Sequence, residues 1–322
     1  MRKALIVGID NYPDCPLRGC CNDADKVNEL LSRHENGEKN FQTALVKNVK
    51  CKGELKHLIE ECFNGNAATA LFYFSGHGIV DSTGGYLVTP DYSDYNYGVS
   101  LYEILTLANK SKCKNKIIIL DSCYSGKMGN IDLADQNTSI IGEGVTILTS
   151  SRSDETSTEE NGHGVFTLLL LEALSGCAAD LTGNVTPGGI YAYIDKALGV
   201  WGQRPVFKTN VTEFVSLRRV KPQVDISVIR KLCEYFQESE TNLLLDPSFE
   251  PTNSPDAPHE VIKPYANQTN VNIFADLQAL ESVGIVVPVN EKHMYYAALH
   301  SGSCKLTALG KQYWRLVKKG II

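Results

Sequence analysis

Three things are scarce in this 322-residue chain, and each scarcity excludes a class of protein. No apolar run approaches the ~20 residues needed to cross a bilayer, which removes the membrane as a partner. The first such run, Ala4 to Ile9, is also too short for the core of a secretory signal. Positive charge is not in excess: 31 Lys and Arg stand against 37 Asp and Glu, for a net charge of −6. That balance lacks the basic footprint that phosphate backbones demand, so nucleic acid is disfavoured as the main partner. Proline is sparse at 12 residues beside a hydrophobic content of 43%, a composition of globular rather than disordered or fibrous chains. Cysteine, by contrast, is plentiful at 10 residues. The thiols are scattered through apolar segments and no signal precedes them, so a reducing, cytoplasmic setting is the expectation. The chain reaches its first strand at once, which leaves regulatory sequence to the C-terminal side.

The length suits one large α/β domain and a smaller second one. Four short apolar runs, at 3–9, 69–74, 116–121 and 144–150, read as buried strands. Between the first two, Leu55, Leu58, Ile59 and Cys62 repeat at i, i+3, i+4, i+7, and Val27, Leu30 and Leu31 make a shorter stripe after a cap at Asn22. Further helices fit 101–110, 165–174 and 190–198. The alternation predicts a mostly parallel sheet with helices on both faces, with ligand sites beyond the carboxyl ends of its strands. A last strand over 211–217 closes a domain spanning 1–220. From 225 to 322 the pattern becomes that of a small α+β domain. Helical stripes run through Ile229, Leu232, Cys233 and Phe236 and through Ile273, Leu277, Leu280 and Val283. Two β-like runs, 285–289 and 294–299, precede a final helix around 309–317.

The strand ends carry the chemistry. Ser75-Gly76-His77 follows the second run and Ser122-Cys123 the third, so an imidazole and a thiol fall at the same predicted edge. A thiol attacks a carbonyl only as thiolate, which needs a nearby base, access and donors for the oxyanion. The glycines flanking His77 admit a substrate backbone, and the amides of the turn after Asp121 supply donors. The plain alternative for a cysteine is a small core residue, and that reading suits Cys51, Cys62, Cys113, Cys177, Cys233 and Cys304.

The segments Phe72-Tyr73-Phe74-Ser75-Gly76-His77-Gly78 and Ile119-Leu120-Asp121-Ser122-Cys123-Tyr124-Ser125-Gly126 resemble the histidine and cysteine motifs of metacaspases and bacterial caspase-like peptidases. The spacing from His77 to Cys123 agrees with the roughly 50 residues that separate the two in caspases. The resemblance extends through Leu17-Arg18-Gly19-Cys20-Cys21-Asn22-Asp23-Ala24, His163-Gly164-Val165-Phe166-Thr167 and Gln203-Arg204-Pro205-Val206, over the first two-thirds of the chain. It implies a caspase-like fold and a cysteine endopeptidase with His77 and Cys123 as catalytic pair. It also implies that Cys20, Asp23, Ser75 and Asp121 shape a pocket for Arg or Lys before the scissile bond, on a protein substrate. Asp23 has a second reading, as a charge at a helix N-terminus. Many metacaspases need calcium, a hard ion bound by acidic oxygens. Here Pro90-Asp91 is kept, but Leu101-Tyr102 stand where a consecutive acidic pair is expected and Asn130 replaces an acid. No metal or other cofactor and calcium-independent activity are the expectations.

Lys127 is the only basic residue between Cys123 and the fourth strand, so an uncleaved single chain is expected. The polar segment 151–163 reads as a solvated loop, a substrate-groove wall or an activation loop. In the C-terminal domain, Lys305 to Gly310 before the last helix resembles the wing-to-helix join of winged-helix domains. With nine Lys and Arg against eleven Asp and Glu, and none of either base over 272–282, this module suits an activating protein partner better than DNA. By analogy with bacterial relatives the role is limited proteolysis in stress, antiviral defence or cell death. The competing reading is an inactive caspase-fold regulator that binds DNA or protein through its winged-helix-like domain.

Overall fold

The computed structural model describes residues 1–94, 96–122, 141–150, 159–160, 163–199, 205–212, 214–252, 258–260, 262–263 and 266–322. The chain divides into two units, Met1–Lys221 and Pro222–Ile322. The first contains, in order, β1 (Arg2–Gly8), α1 (Cys20–Ser32), β2 (Gln42–Lys47), α2 (Lys52–Phe63) and β3 (Thr69–Ser75). Then follow β4 (Gly78–Asp81), β5 (Gly84–Ser93), β6 (Asn96–Ser100), α3 (Leu101–Lys110), β7 (Asn115–Asp121) and β8 (Val145–Thr149). The remainder comprises β9 (Glu159–Glu160), β10 (His163–Gly164), α4 (Val165–Glu172), β11 (Asn184–Val185), α5 (Pro187–Leu198), β12 (Val206–Asn210) and β13 (Arg218–Arg219).

Six strands form the central sheet in the order β12-β8-β7-β3-β1-β2, all parallel except β12, which runs antiparallel to β8. Central parallel strands are buried on both faces, which is why they read as unbroken apolar runs. Alternation then sorts each strand between two cores. Leu5, Val7, Phe72, Phe74, Ile118 and Leu120 join the side chains of α2 and α3, whereas Ile6, Leu71, Tyr73, Ile117 and Ile119 join α1, α4 and α5. The small antiparallel sheet β4-β5-β6 adds Leu87, Val88 and Val99 to the α2/α3 core. A capping box between Ser100 and Glu103 fixes where α3 begins.

The expected parallel sheet with helices on both faces is present, and two local expectations are corrected here. The cap of α1 is Gly19, not Asn22, because the carboxylate of Asp10 accepts from the backbone amides of Cys20 and Cys21 and starts the helix earlier. The closing strand is β12 rather than 211–217, since Val206–Asn210 pairs residue for residue with β8. Strand β2 has no continuous apolar run, being an edge strand with mostly exposed side chains.

The second unit holds α6 (Ile226–Arg230), α7 (Leu232–Tyr235), β14 (Leu243–Leu244), α8 (Gln268–Ser282), β15 (Val286–Val289), α9 (Met294–Leu299), β16 (Ser303–Leu306) and α10 (Ala308–Lys318). Its sheet has the order β14-β16-β15. The run 294–299, expected as β, is α9. Its tyrosines favour strands, but Met294, Ala297 and Ala298 are buried at helical spacing. Trp314 donates its indole N–H to the Phe236 carbonyl at 2.7 Å. Among the described residues, no helix is long and apolar enough to cross a membrane, and every cysteine is a free thiol.

A Cβ at Gly8 would stand 2.2 Å from the Cys20 carbonyl oxygen, a backbone obstacle that cannot rotate away. Gly8→Ala is therefore expected to cost about 3 kcal/mol, seen as a lower urea midpoint at unchanged slope.

Candidate active site

Strand register sets the carboxyl edge of the sheet. Gly8 lies beside Ser75, and Ser75 beside Asp121, in one row across β1, β3 and β7. The missing side chain at Gly8 lets the first turn of α1 close over the strand ends, carrying Cys20 and Asp23 with it.

Cys20, Asp23, Ser75 and Asp121 are brought together and buried, Asp23 at 1% exposure and Asp121 at 7%. Ser75 Oγ donates to Asp23 Oδ2 at 3.2 Å. Thr167 Oγ1 donates to Asp121 Oδ2 at 2.7 Å, so the Tyr73 hydroxyl, also 2.7 Å from Thr167 Oγ1, donates in its turn to Thr167. At Gly164 a Cβ would stand 2.6 Å from Asp121 Oδ2, so α4 approaches the carboxylate as closely as backbone allows. Burial pushes the Asp121 carboxyl up to about 6 against the hydrogen bond from Thr167, and the charge of Asp23 adds to the rise. Burial also raises the Cys20 thiol far above its ordinary range, with Asp10, Asp121 and Asp23 adding to it, so Cys20 stays protonated and is no nucleophile.

His77 lies two residues past Ser75 and is clamped through its backbone. Its N–H donates to the Tyr12 hydroxyl at 3.1 Å, and that hydroxyl donates to the Val88 carbonyl at 3.2 Å. The Val88 N–H returns to the His77 carbonyl at 2.9 Å. Gly76 keeps this loop tight, since a Cβ there would meet the Tyr12 hydroxyl at 2.6 Å. The imidazole packs edge-on against Tyr12, with centroids 4.6 Å apart. Nε2 lies 2.8 Å from the Cys15 carbonyl. A carbonyl only accepts, so Nε2 carries the proton and Nδ1 of the neutral ring is left as the basic nitrogen. This is the arrangement a general base needs: one nitrogen oriented, the other available.

Cys123 lies outside the described residues, as do Lys127, Asn130, Gln203 and Arg204 and most of 151–163. Ser122, the residue before it, is buried at the end of β7. Beside His77 opens a cleft of about 530 Å³, walled by Tyr12, Cys15, Ile79, Tyr92 and Tyr97 among others. Among the described residues no group of three or more His, Cys, Asp or Glu side chains is placed to hold a metal ion.

Sequence reading missed the parts played by Tyr12, Tyr73 and Thr167. Tyr73 had a signal, because it sits two positions before Ser75 and so shares its face of the strand. Thr167 falls inside the motif that begins at His163. Nothing local marks Tyr12, which meets its partners across the fold.

A sequence model of the caspase domain matches residues 1–187. In three dimensions the chain is similar to protein GSU0716 from Geobacter sulfurreducens, with 15% identity and a TM-score of 0.50 over 68% of this chain and 99% of that one. It is also similar to caspase-1 from Spodoptera frugiperda, with 15% identity and a TM-score of 0.47 over 68% of this chain and 90% of that one. No curated protein is a significant sequence match.

The raised Asp121 carboxyl has a consequence for stability. An acid whose pKa rises on folding holds its proton better folded than unfolded. Its ionisation therefore opposes folding, by an amount that grows from about pH 4 to about pH 6 and is constant above. Asp121→Asn is expected to stabilise the unliganded protein near pH 8 by up to about 3 kcal/mol and to change little near pH 4, as read from urea midpoints.

Proposed function

The chain belongs to the caspase-domain family, and from that membership we propose that it is a cysteine endopeptidase cleaving protein substrates after Arg or Lys. The observation that carries the proposal is the burial of two carboxylates, Asp23 and Asp121, in one cluster at the end of the strand that leads into His77. Two buried carboxylates side by side give the cluster a negative character, and a guanidinium or ammonium complements it through charge-assisted hydrogen bonds. An acidic side chain would add a like charge and an apolar one would gain no such bonds, which is the basis of discrimination.

In this reading the basic side chain enters between Asp23 and Asp121, with Ser75 and Cys20 completing the walls. His77 Nδ1 takes the proton of the Cys123 thiol, and the sulfur attacks the backbone carbonyl carbon of the bound residue. The C–N bond breaks as His77 returns the proton to the leaving amine, which leaves a thioester on Cys123. Water then gives a proton to His77 and adds to the thioester. The carboxylic acid leaves and the sulfur recovers its proton. The Cys15 carbonyl, on Nε2–H, holds the ring orientation.

Calcium independence belongs to the same proposal. Leu101, at one of the two positions where many metacaspases carry acids, is a buried core residue. One oxygen of Asp91 already accepts from the Lys52 amide at 3.0 Å and the Thr89 hydroxyl at 2.6 Å. We assign the winged-helix-like unit over 225–322 to contact with an activating protein partner, because α8 carries no Lys or Arg to meet phosphate. Limited proteolysis in a cytoplasmic stress, antiviral defence or cell-death response is the role this chemistry suits, by analogy with the family.

Fluorogenic peptides ending in Arg, Lys or Asp, with a calcium chelator present, test the reading. Release after Arg and Lys is expected from the wild type and not from Cys123→Ala. Asp23→Ala should lower kcat/KM on the Arg peptide by about 100-fold while the protein stays folded. For the wild type, kcat/KM should fall as pH drops below about 6, where Asp121 takes up a proton. Equal cleavage after Asp, or turnover surviving in Cys123→Ala, would remove the assignment.

A further inference from the structure

The central sheet separates two recognition surfaces. The acidic cluster lies on the α1/α4 face, where Asp23 comes from α1 and Thr167 from α4. The cleft beside His77 lies on the other face: Tyr12 and Val88 are part of the α2/α3 core, and Ile79 and Tyr92 pack against it. His77 stands between them, two residues past the row that holds Ser75 and Asp121, and is itself a wall of the cleft. A substrate bound in extended form sends successive side chains to opposite sides. If the basic residue enters the acidic cluster, the residue across the scissile bond points to the opposite face.

We propose that this cleft receives the side chain immediately after the scissile bond and selects a large apolar one. The inference rests on the peptidase reading above and goes beyond it by assigning the position on the leaving side. The lining favours apolar matter. Tyr12, Tyr92 and Tyr97 supply rings and Ile79 and Val88 supply branched aliphatic surface. Two of the hydroxyls are already engaged: Tyr12 with the Val88 carbonyl and the His77 amide, and Tyr92 with Asp14 at 2.6 Å. These tyrosines therefore present rings to an occupant. The charge nearby is negative, from Asp94 in the lining and Asp14 behind Tyr92, and among the described residues no Lys or Arg lines the cleft. An acidic side chain is repelled there and a small one leaves the rings unfilled.

Internally quenched peptides identical through Arg, followed by Leu, Phe, Gly or Asp, provide the test, with the corresponding Arg methyl ester, whose methanol leaving group is too small to fill the cleft, as reference. The wild type is expected to cleave the Leu and Phe peptides with kcat/KM at least about tenfold above Gly and Asp. Ile79→Ala and Tyr97→Ala, which line the cleft but touch neither the reacting atoms nor the acidic cluster, should shrink that ratio by about tenfold or more between them, with methyl-ester turnover unchanged. Retained methyl-ester turnover also certifies that each variant is folded. Equal rates on all four peptides, with the methyl ester cleaved, would overturn the cleft assignment and leave the peptidase reading standing. An unchanged Leu-to-Asp ratio in both variants would overturn it as well. Absence of cleavage of the methyl ester and every peptide by the wild type would overturn both.

Discussion

The buried polar cluster at the sheet edge of the first unit hangs on one row, Gly8, Ser75 and Asp121, set side by side by the parallel register of β1, β3 and β7. The row fixes three approaches at once. Gly8 admits the start of α1, Ser75 ties Asp23 to the sheet, and Asp121 meets α4 through Thr167 and the bare backbone at Gly164. A one-residue slip of any of these strands would turn its core side chains to the wrong face, so the two apolar cores hold the register that the polar row needs. Hydrophobic burial, which has no direction of its own, thus enforces a geometry made of directed bonds.

The same row explains why the site is held against its own electrostatics. Two carboxylates within one buried cluster raise each other's cost of ionisation, and hydroxyls of Ser75, Thr167 and Tyr73 offset part of it. The surrounding core, with Tyr73, Leu71 and Ile119 buried beneath, prevents the cluster from relaxing toward solvent. On the other side, His77 is positioned by neutral groups: the Tyr12 phenol, the Val88 amide and the Cys15 carbonyl hold it. Burial raises the Tyr12 phenol well above its ordinary range, so that clamp stays neutral at any pH the protein tolerates.

The parts of this architecture that could be read from sequence are those whose physics is local. β1, β3, β7 and β8 are buried on both faces and therefore appear as unbroken apolar runs, and the reactive motifs sit directly at their ends. Edge strand β2 exposes most of its side chains and leaves no such trace. At 294–299 two tyrosines outweighed two alanines on propensity, whereas burial of Met294, Ala297 and Ala298 decided for helix. The start of α1 turned on Asp10, outside the helix, and the clamp on His77 turned on Tyr12, on a different loop. Contacts between residues far apart in the chain have no local pattern, and these are the contacts that orient the site.

The division of the first unit into two cores that share no residue has an evolutionary consequence. Substitutions in β4, β5 and β6 are felt on the α2/α3 side, whereas those in α1 and α4 are felt on the other. Changes at such separated positions combine almost additively. The fold can therefore drift in what it accepts on one side of His77 while inherited preference on the other is kept. Related chains should diversify in the hairpin that bears Tyr92 and Tyr97 sooner than in the row that bears Ser75 and Asp121.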